Sequence, residues 1–201
     1  MVKLHKESDE IMRYKEYKGY LTADRERYAI GGHFKTYVCN SGYRIITHYR
    51  RCKLLEGRHF LFPLYQLQRF IYNRKCIKAG CDIPSHVVIG QGLKIDHTQG
   101  IVINSKVVIG KNCTIKSGVV IGKNNRGTPI IGNNVMIGVH ALIIGNVNIA
   151  SGTEIGAGAI VTHDTPANSV VICDSAHILR IKEGVNEEIN MRDKFNAYRD
   201  R

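Results

Sequence analysis

"IGNNVMIGVHALIIGNVNIASGTEIGAGAIV", Ile131 to Val161, is the stretch on which the fold turns. An aliphatic residue returns at every sixth place: Ile131, Ile137, Ile143, Ile149, Ile155 and Val161. A helix needs apolar steps of three and four residues, and a half-buried strand alternates, so a beat of six is neither. Two residues before each beat stands a small or β-branched residue: Val135, Ala141, Val147, Thr153, Ala159. Followed toward the N-terminus, the beat holds through Ile103, Ile109, Ile115 and Ile121, and before that through Ile83, Ile89 and Ile95. It slips twice, by two extra residues between Ile95 and Ile103 and by four between Ile121 and Ile131.

A hexad with two inward places and a corner that admits glycine suits a solenoid of short parallel strands joined by tight turns. No rung can bury its own aliphatic residue; stacking does so. Thirteen of the 20 glycines lie between residues 83 and 161, where the corners must be. The expected architecture is mainly β, a parallel β-helix over residues 81–172. An α-helical region over 1–80 precedes it, and a charged, helical tail over 173–201 follows a short strand, Val170 to Ile172.

In the first region the patterns predict a helix over 8–20 and a short one capped by Thr22 that ends at Gly31-Gly32. A third begins at Ser41, with Ile45, Ile46, Tyr49, Cys52 and Leu55 on one face, and stops at Gly57. A fourth begins near Pro63 and turns Leu64, Leu67, Phe70 and Ile71 inward. This region also carries the charge. Residues 1–80 hold 17 Lys/Arg against 7 Asp/Glu, within a chain of net charge +12. Such a field suits an anionic cofactor, a polyanionic acceptor or an acidic membrane surface. No nucleic-acid motif accompanies it. Six scattered cysteines without a CxxC pair, and an N-terminus without an apolar signal core, read as reduced thiols in a cytoplasmic protein.

The first slip, "KIDHTQGIVI" (Lys94–Ile103), sets Asp96 and His97 in a projecting loop. A rigid scaffold that spends extra residues on titratable groups is placing chemistry there. An imidazole titrates near neutrality and can act as a general base, and it needs a carboxylate to hold its tautomer. Asp82, fifteen residues earlier, is close to one eighteen-residue coil away.

The hexad run resembles the hexapeptide-repeat acyltransferases, whose fold is a left-handed parallel β-helix. "CDIPSHVVIGQGLKIDHTQGIVI" more narrowly resembles the serine O-acetyltransferases and their relatives encoded with polysaccharide-synthesis enzymes. The resemblance is strong over about residues 80–172 and weaker upstream through "GYRIITHYRRC". It implies that Asp82 and His97 form a catalytic dyad and that Asp96 contacts an amino acid substrate. It further implies acetyl-CoA as co-substrate, with Gly122, Lys123, Val139 and Ala157 lining its cleft and no metal. The loop "GKNNRGTPI" (Gly122–Ile130) would close over both substrates, Lys123 and Arg126 meeting phosphates or an acidic acceptor. The implied assembly is a homotrimer with its site between neighbours, and the short helical region points away from a hexamer.

Where that family grips the carboxylate of L-serine with an Arg-His pair, this chain has Gly127 and Thr128, with Arg126 adjacent. No acid stands in "GGHFKTYVCNSGYRI", and Cys173-Asp174-Ser175-Ala176 replaces a Gly-Val-Pro-Ala. Substrate contact is therefore assigned to Asp96, Arg126 and Thr128. The expected reaction is acetyl transfer to a sugar hydroxyl in surface polysaccharide synthesis. The alternative is O-acetylation of L-serine for cysteine biosynthesis. A β-helical metalloenzyme would need histidines converging from neighbouring rungs, and His86, His97, His140, His163 and His177 lack that spacing. A non-enzymatic scaffold would have no use for Asp82 and His97 together. Peripheral contact with a membrane surface is a further expectation for the basic, aromatic helices.

Overall fold

A computed structural model describes residues 2–28 and 31–174, with side chains described from Tyr14 onward apart from residue 59. The expected tail lies outside these residues beyond 174. Four helices come first: α1 (Val2–Glu26), α2 (His33–Cys39), α3 (Ser41–Leu55) and α4 (Phe62–Ala79). Thirteen short strands follow, and each lies parallel to strands about one coil away in sequence. They form three faces of a left-handed prism. The first face stacks β1 (Val88–Ile89), β4 (Val108–Ile109), β7 (Ile130–Ile131) and β10 (Asn148–Ile149). The second stacks β2 (Lys94–Asp96), β5 (Thr114–Lys116), β8 (Met136–Ile137), β11 (Glu154–Ile155) and β13 (Val170–Val171). The third stacks β3 (Val102–Ile103), β6 (Val120–Gly122), β9 (Leu142–Ile144) and β12 (Ile160–Val161).

The hexad reading holds residue by residue. All thirteen beat positions from Ile83 to Val161 are buried, and so are the small partners from Val87 to Ala159. Like stacks on like: Ile95 registers with Ile115, Ile115 with Ile137, and Ile137 with Ile155. At one corner of each coil Gly92, Asn112, Asn134, Gly152 and Asn168 follow one another, all with positive φ. Only glycine and asparagine take that conformation at low cost, which explains the alternation.

The helices differ from expectation in four places, the first being α2, which follows Gly31-Gly32 where the expected short helix ends at them. Thr22 caps nothing, because α1 runs unbroken to Glu26. The cap of α3 is Asn40, whose side chain accepts from Tyr43 N at 2.9 Å, so Ser41 is the first residue inside the helix. Most consequentially, α4 turns the other way. Tyr72 and Cys76 are its buried residues, while Leu64, Leu67 and Phe70 are exposed. Tyr72 wins the inward place because its hydroxyl, unlike a leucine, can donate to Ile83 O at 2.6 Å.

That bond belongs to a larger pattern. A solenoid's first coil presents an unpaired backbone edge, and the helices satisfy it with side chains. Tyr49 donates to Val87 O (2.6 Å), and Arg50 to Ile89 O (2.8 Å) and Gly90 O (2.6 Å). Leu93 N donates to Asp24 (2.9 Å) and Ile95 N to the Tyr28 hydroxyl (2.9 Å). Asp24 and Arg50 form a buried bidentate pair at 2.8 and 3.1 Å.

Between α3 and α4, His48 accepts from the Gln68 amide at Nδ1 (3.0 Å), so its other nitrogen, 2.9 Å from the Tyr37 hydroxyl, carries the hydrogen. A second proton would face the amide. Burial first, then Arg51 and Lys75, pushes this imidazole down to about 4. The unfolded chain takes up a proton near 6.5 that the folded one refuses. His48 therefore contributes stability in full above about pH 6.5, and that contribution is lost as pH falls toward 4. Urea midpoints should fall more steeply over that window in the wild type than in His48→Gln; parallel profiles would contradict this.

Candidate active site

The register locates the inserted residues. Asp96 pairs with Lys116, and Gly118 N donates to Gln99 O, so Gln99 matches Ser117. The two residues without a counterpart in the next coil are thus His97 and Thr98. They behave oppositely. Thr98 is fully buried, and its hydroxyl donates to Ala79 O (3.1 Å), which ties the insertion to the end of α4. His97 is exposed and has φ +60°. A β-branched anchor beside a left-handed residue throws the imidazole outward, off the aliphatic column.

Asp82 lies on the same edge. Its amide donates to Ile101 O (2.8 Å), its carbonyl accepts from Ile103 N (2.9 Å), and its side chain is exposed on the third face. It registers opposite Val102, one coil plus the two-residue insertion away. His97 thus stands at the corner leading into that face, five residues before the point above Asp82. Among the described residues no hydrogen bond joins the two side chains. The structure sets them on adjacent layers, Asp82 on the third face and His97 at the corner that leads into it, with the dyad open. Asp96 is half-buried and paired with Lys94 at 3.2 Å. Lys94 was not singled out from the sequence, although two residues apart on a strand place both on one side.

The remaining candidates divide between two corners. Val139 and Ala157 belong to the His97 corner: Gly158 N donates to Val139 O (2.8 Å), His140 N to Ser117 O (2.9 Å), and Cys173 Sγ to Ala157 O (3.2 Å). This corner is lined by small groups. A Cβ on Gly118 would lie 2.1 Å from the His140 ring, so glycine there keeps His140 in place. His140 stands at this corner two layers on, stacked with Gly118 and Gly158, a placement that no local stretch of sequence reveals.

Gly122, Lys123, Arg126 and Thr128 lie at the far end of the third face. There β6 leaves the prism, and the exposed outward residues Val102 and Ile160 lie between the two corners. The loop is a closed turn. Asn124 N and Gly127 O bond at 3.0 Å, and the Asn124 carboxamide oxygen accepts from Arg126 N (2.8 Å) and Gly127 N (3.2 Å). Lys123 and Arg126 are exposed, and Thr128 is half-buried. Gly127 has φ +147°, and a Cβ there would meet Asn146 at 3.0 Å. A side chain is therefore strained at the place where an arginine or histidine would grip a carboxylate. Among the described residues no group of three or more His, Cys, Asp or Glu could hold a metal ion, and His177 lies outside them.

A left-handed β-helix with an imidazole on an inserted corner defines the class as a hexapeptide-repeat acyltransferase fold. Comparison with known proteins narrows it. The chain is 31% identical over 157 residues to a serine acetyltransferase of Staphylococcus aureus, an overlap of 74% of this chain and 73% of the relative. It is 32% identical over 157 residues to serine acetyltransferase 2 of Arabidopsis thaliana, but spans only 47% of that relative's length. Among solved structures it superposes on a serine acetyltransferase of Neisseria gonorrhoeae in complex with serine. That match has a TM-score of 0.65 and 31% identity, covering 84% of this chain and 69% of the other. No protein-family model matches. The chain belongs to the serine acetyltransferase family. These relatives give no support to the polysaccharide-associated subgroup.

Proposed function

We propose that this chain transfers the acetyl group of acetyl-CoA to the hydroxyl of L-serine, with His97 as general base. The observation that carries the reading is the insertion itself: among the described residues one coil has two extra corner residues, and it turns an imidazole outward, one layer from Asp82. His97 takes the serine hydroxyl proton as the oxygen bonds to the thioester carbon. The carbon–sulfur bond then breaks, and the proton passes to the departing thiolate. Asp82 steadies the imidazolium once the side chains close. Asp96 receives the substrate ammonium, exchanging its Lys94 partner. Val139 and Ala157 leave room for the pantetheine arm at the same corner, and Lys123 and Arg126 offer charge to anionic groups of the co-substrate. A cytoplasmic setting goes with acetyl-CoA and with six free thiols.

The relatives' names favour the amino acid over the sugar expected from the sequence. One observation keeps the sugar as second reading: Gly127 and Thr128 cannot form the paired cationic grip, which leaves Arg126 as the nearby cation. Free thiol release from acetyl-CoA is to be followed with L-serine, nucleotide sugars and acidic oligosaccharides. The expected outcome is turnover with L-serine that Arg126→Ala lowers roughly ten- to hundredfold in kcat/KM, the value of one charge-assisted contact. Turnover with a saccharide and none with L-serine would overturn it.

The resemblance also supports a trimer, with neighbours meeting over the apolar outward residues of the prism, such as Val88, Ile130 and Ile160. Light scattering should give three chains; an active monomer would remove the shared site.

A further inference from the structure

The face that α4 turns away from the core has no role in acetyl transfer. Opposite Tyr72 and Cys76 stand Pro63, Leu67, Phe70, Arg74 and Ile77, spaced four, three, four and three residues, so they form one stripe along the helix. Its apolar members are open to solvent: Leu67 is 55% exposed, Phe70 63% and Ile77 73%. Phe62, at 55%, opens the helix, and Phe60, at 91%, precedes it. Among the described residues nothing covers it. Scattered surface leucines need no explanation, but a continuous aromatic and aliphatic ridge does.

The charge around the ridge selects its occupant. Residues 57–81 contain five Lys/Arg and no Asp/Glu. Arg74, Lys75 and Lys78 are exposed beside the ridge near the C-terminal end of α4. A second copy of this face would offer those cations no anion, because residues 57–81 contain no Asp/Glu. A surface of anionic headgroups over hydrocarbon matches both features at once: cations to the phosphates, Phe and Leu below them. No helix among the described residues is long and apolar enough to cross a membrane, so α4 would lie along the surface.

We propose that α4 is a peripheral membrane anchor that docks flat on anionic phospholipid through Phe60, Leu67, Phe70 and Ile77. Docking also fixes the catalytic edge. The last turn of α4 is bonded to Thr98 and, through Gly80 O, to Gly100 N (2.7 Å), so the His97 corner rides at the lipid surface. The proposal stands apart from the acceptor's identity, and its readout is binding rather than catalysis.

The full chain is to be sedimented with vesicles of neutral phospholipid, alone or mixed with an anionic phospholipid. It should pellet with the mixed vesicles and be released by salt. The triple variant Leu67→Ser, Phe70→Ser, Ile77→Ser should lower partitioning at least about tenfold with an unchanged circular dichroism spectrum. Arg74→Gln and Lys78→Gln should each lower it about fivefold. A wild-type chain that stays in the supernatant, or a triple variant that pellets as the wild type does, would overturn the anchor. So would a triple variant whose assembled mass falls in vesicle-free solution, because the ridge would then be buried between copies.

Discussion

His97→Ala is expected to lower turnover by roughly 10²–10⁴-fold and to leave thermal stability unchanged. The size follows from losing the group proposed to accept the hydroxyl proton. The preserved stability follows from the side chain's position, exposed and outside the aliphatic column, while Thr98 keeps the insertion tied to Ala79. The alanine inherits a φ of +60°, where a β-carbon is disfavoured, but the wild-type imidazole bears the same strain. Asp82→Asn should fall in the same direction by less, since an amide still holds the ring but no longer balances its charge. Stopped assays of thiol release measure both. Near-wild-type turnover by His97→Ala on the true acceptor would remove the mechanism.

Arg50→Met is expected to cost about 3–5 kcal/mol, a large share of a typical domain's stability. The methionine fills much of the space, but the guanidinium that lies over the Tyr20 and Tyr49 rings is lost with its charge, so the loss is largely electrostatic. It strands Asp24, which is fully buried, and removes the donors to Ile89 O and Gly90 O. Replacing both partners, as Arg50→Met with Asp24→Leu, should recover part of the cost by removing the orphan charge, though the two carbonyls and Leu93 N stay unpaired. Urea denaturation of the wild type and the two variants decides it. An Arg50→Met midpoint equal to wild type would mean that the cap does not depend on these bonds.

The solenoid was legible because its signal is redundant: thirteen inward places repeat one rule, and an error at any one would not hide it. The insertion was legible for the same reason, since a slip is visible only against a regular beat. The helices offered no such redundancy. In α4 an aliphatic stripe and an aromatic–cysteine face compete, and the hydrophobic pattern selects the wrong one. What decides is the unpaired carbonyl of Ile83, a partner that no local window contains. Asp24 and Arg50 were unreadable likewise, since each is an ordinary charged residue until the first coil's edge is beside it. The turn at Gly127 was not legible either, because the Asn124 carboxamide that closes it is one polar residue among several until the loop is folded.

The prism also acts as a counting device. Inward and outward places are kept only if the chain between equivalent corners has a length divisible by six. Any surplus cannot be absorbed inside, because every beat position is filled and buried. The remainder of that division is expelled at a corner. Among the described residues the beat is broken three times, by two extra residues at His97-Thr98, by four before Ile131, and by a coil two residues short between Ile149 and Thr165. Change elsewhere must come in whole rungs or not at all, so the scaffold itself confines novelty to its corners.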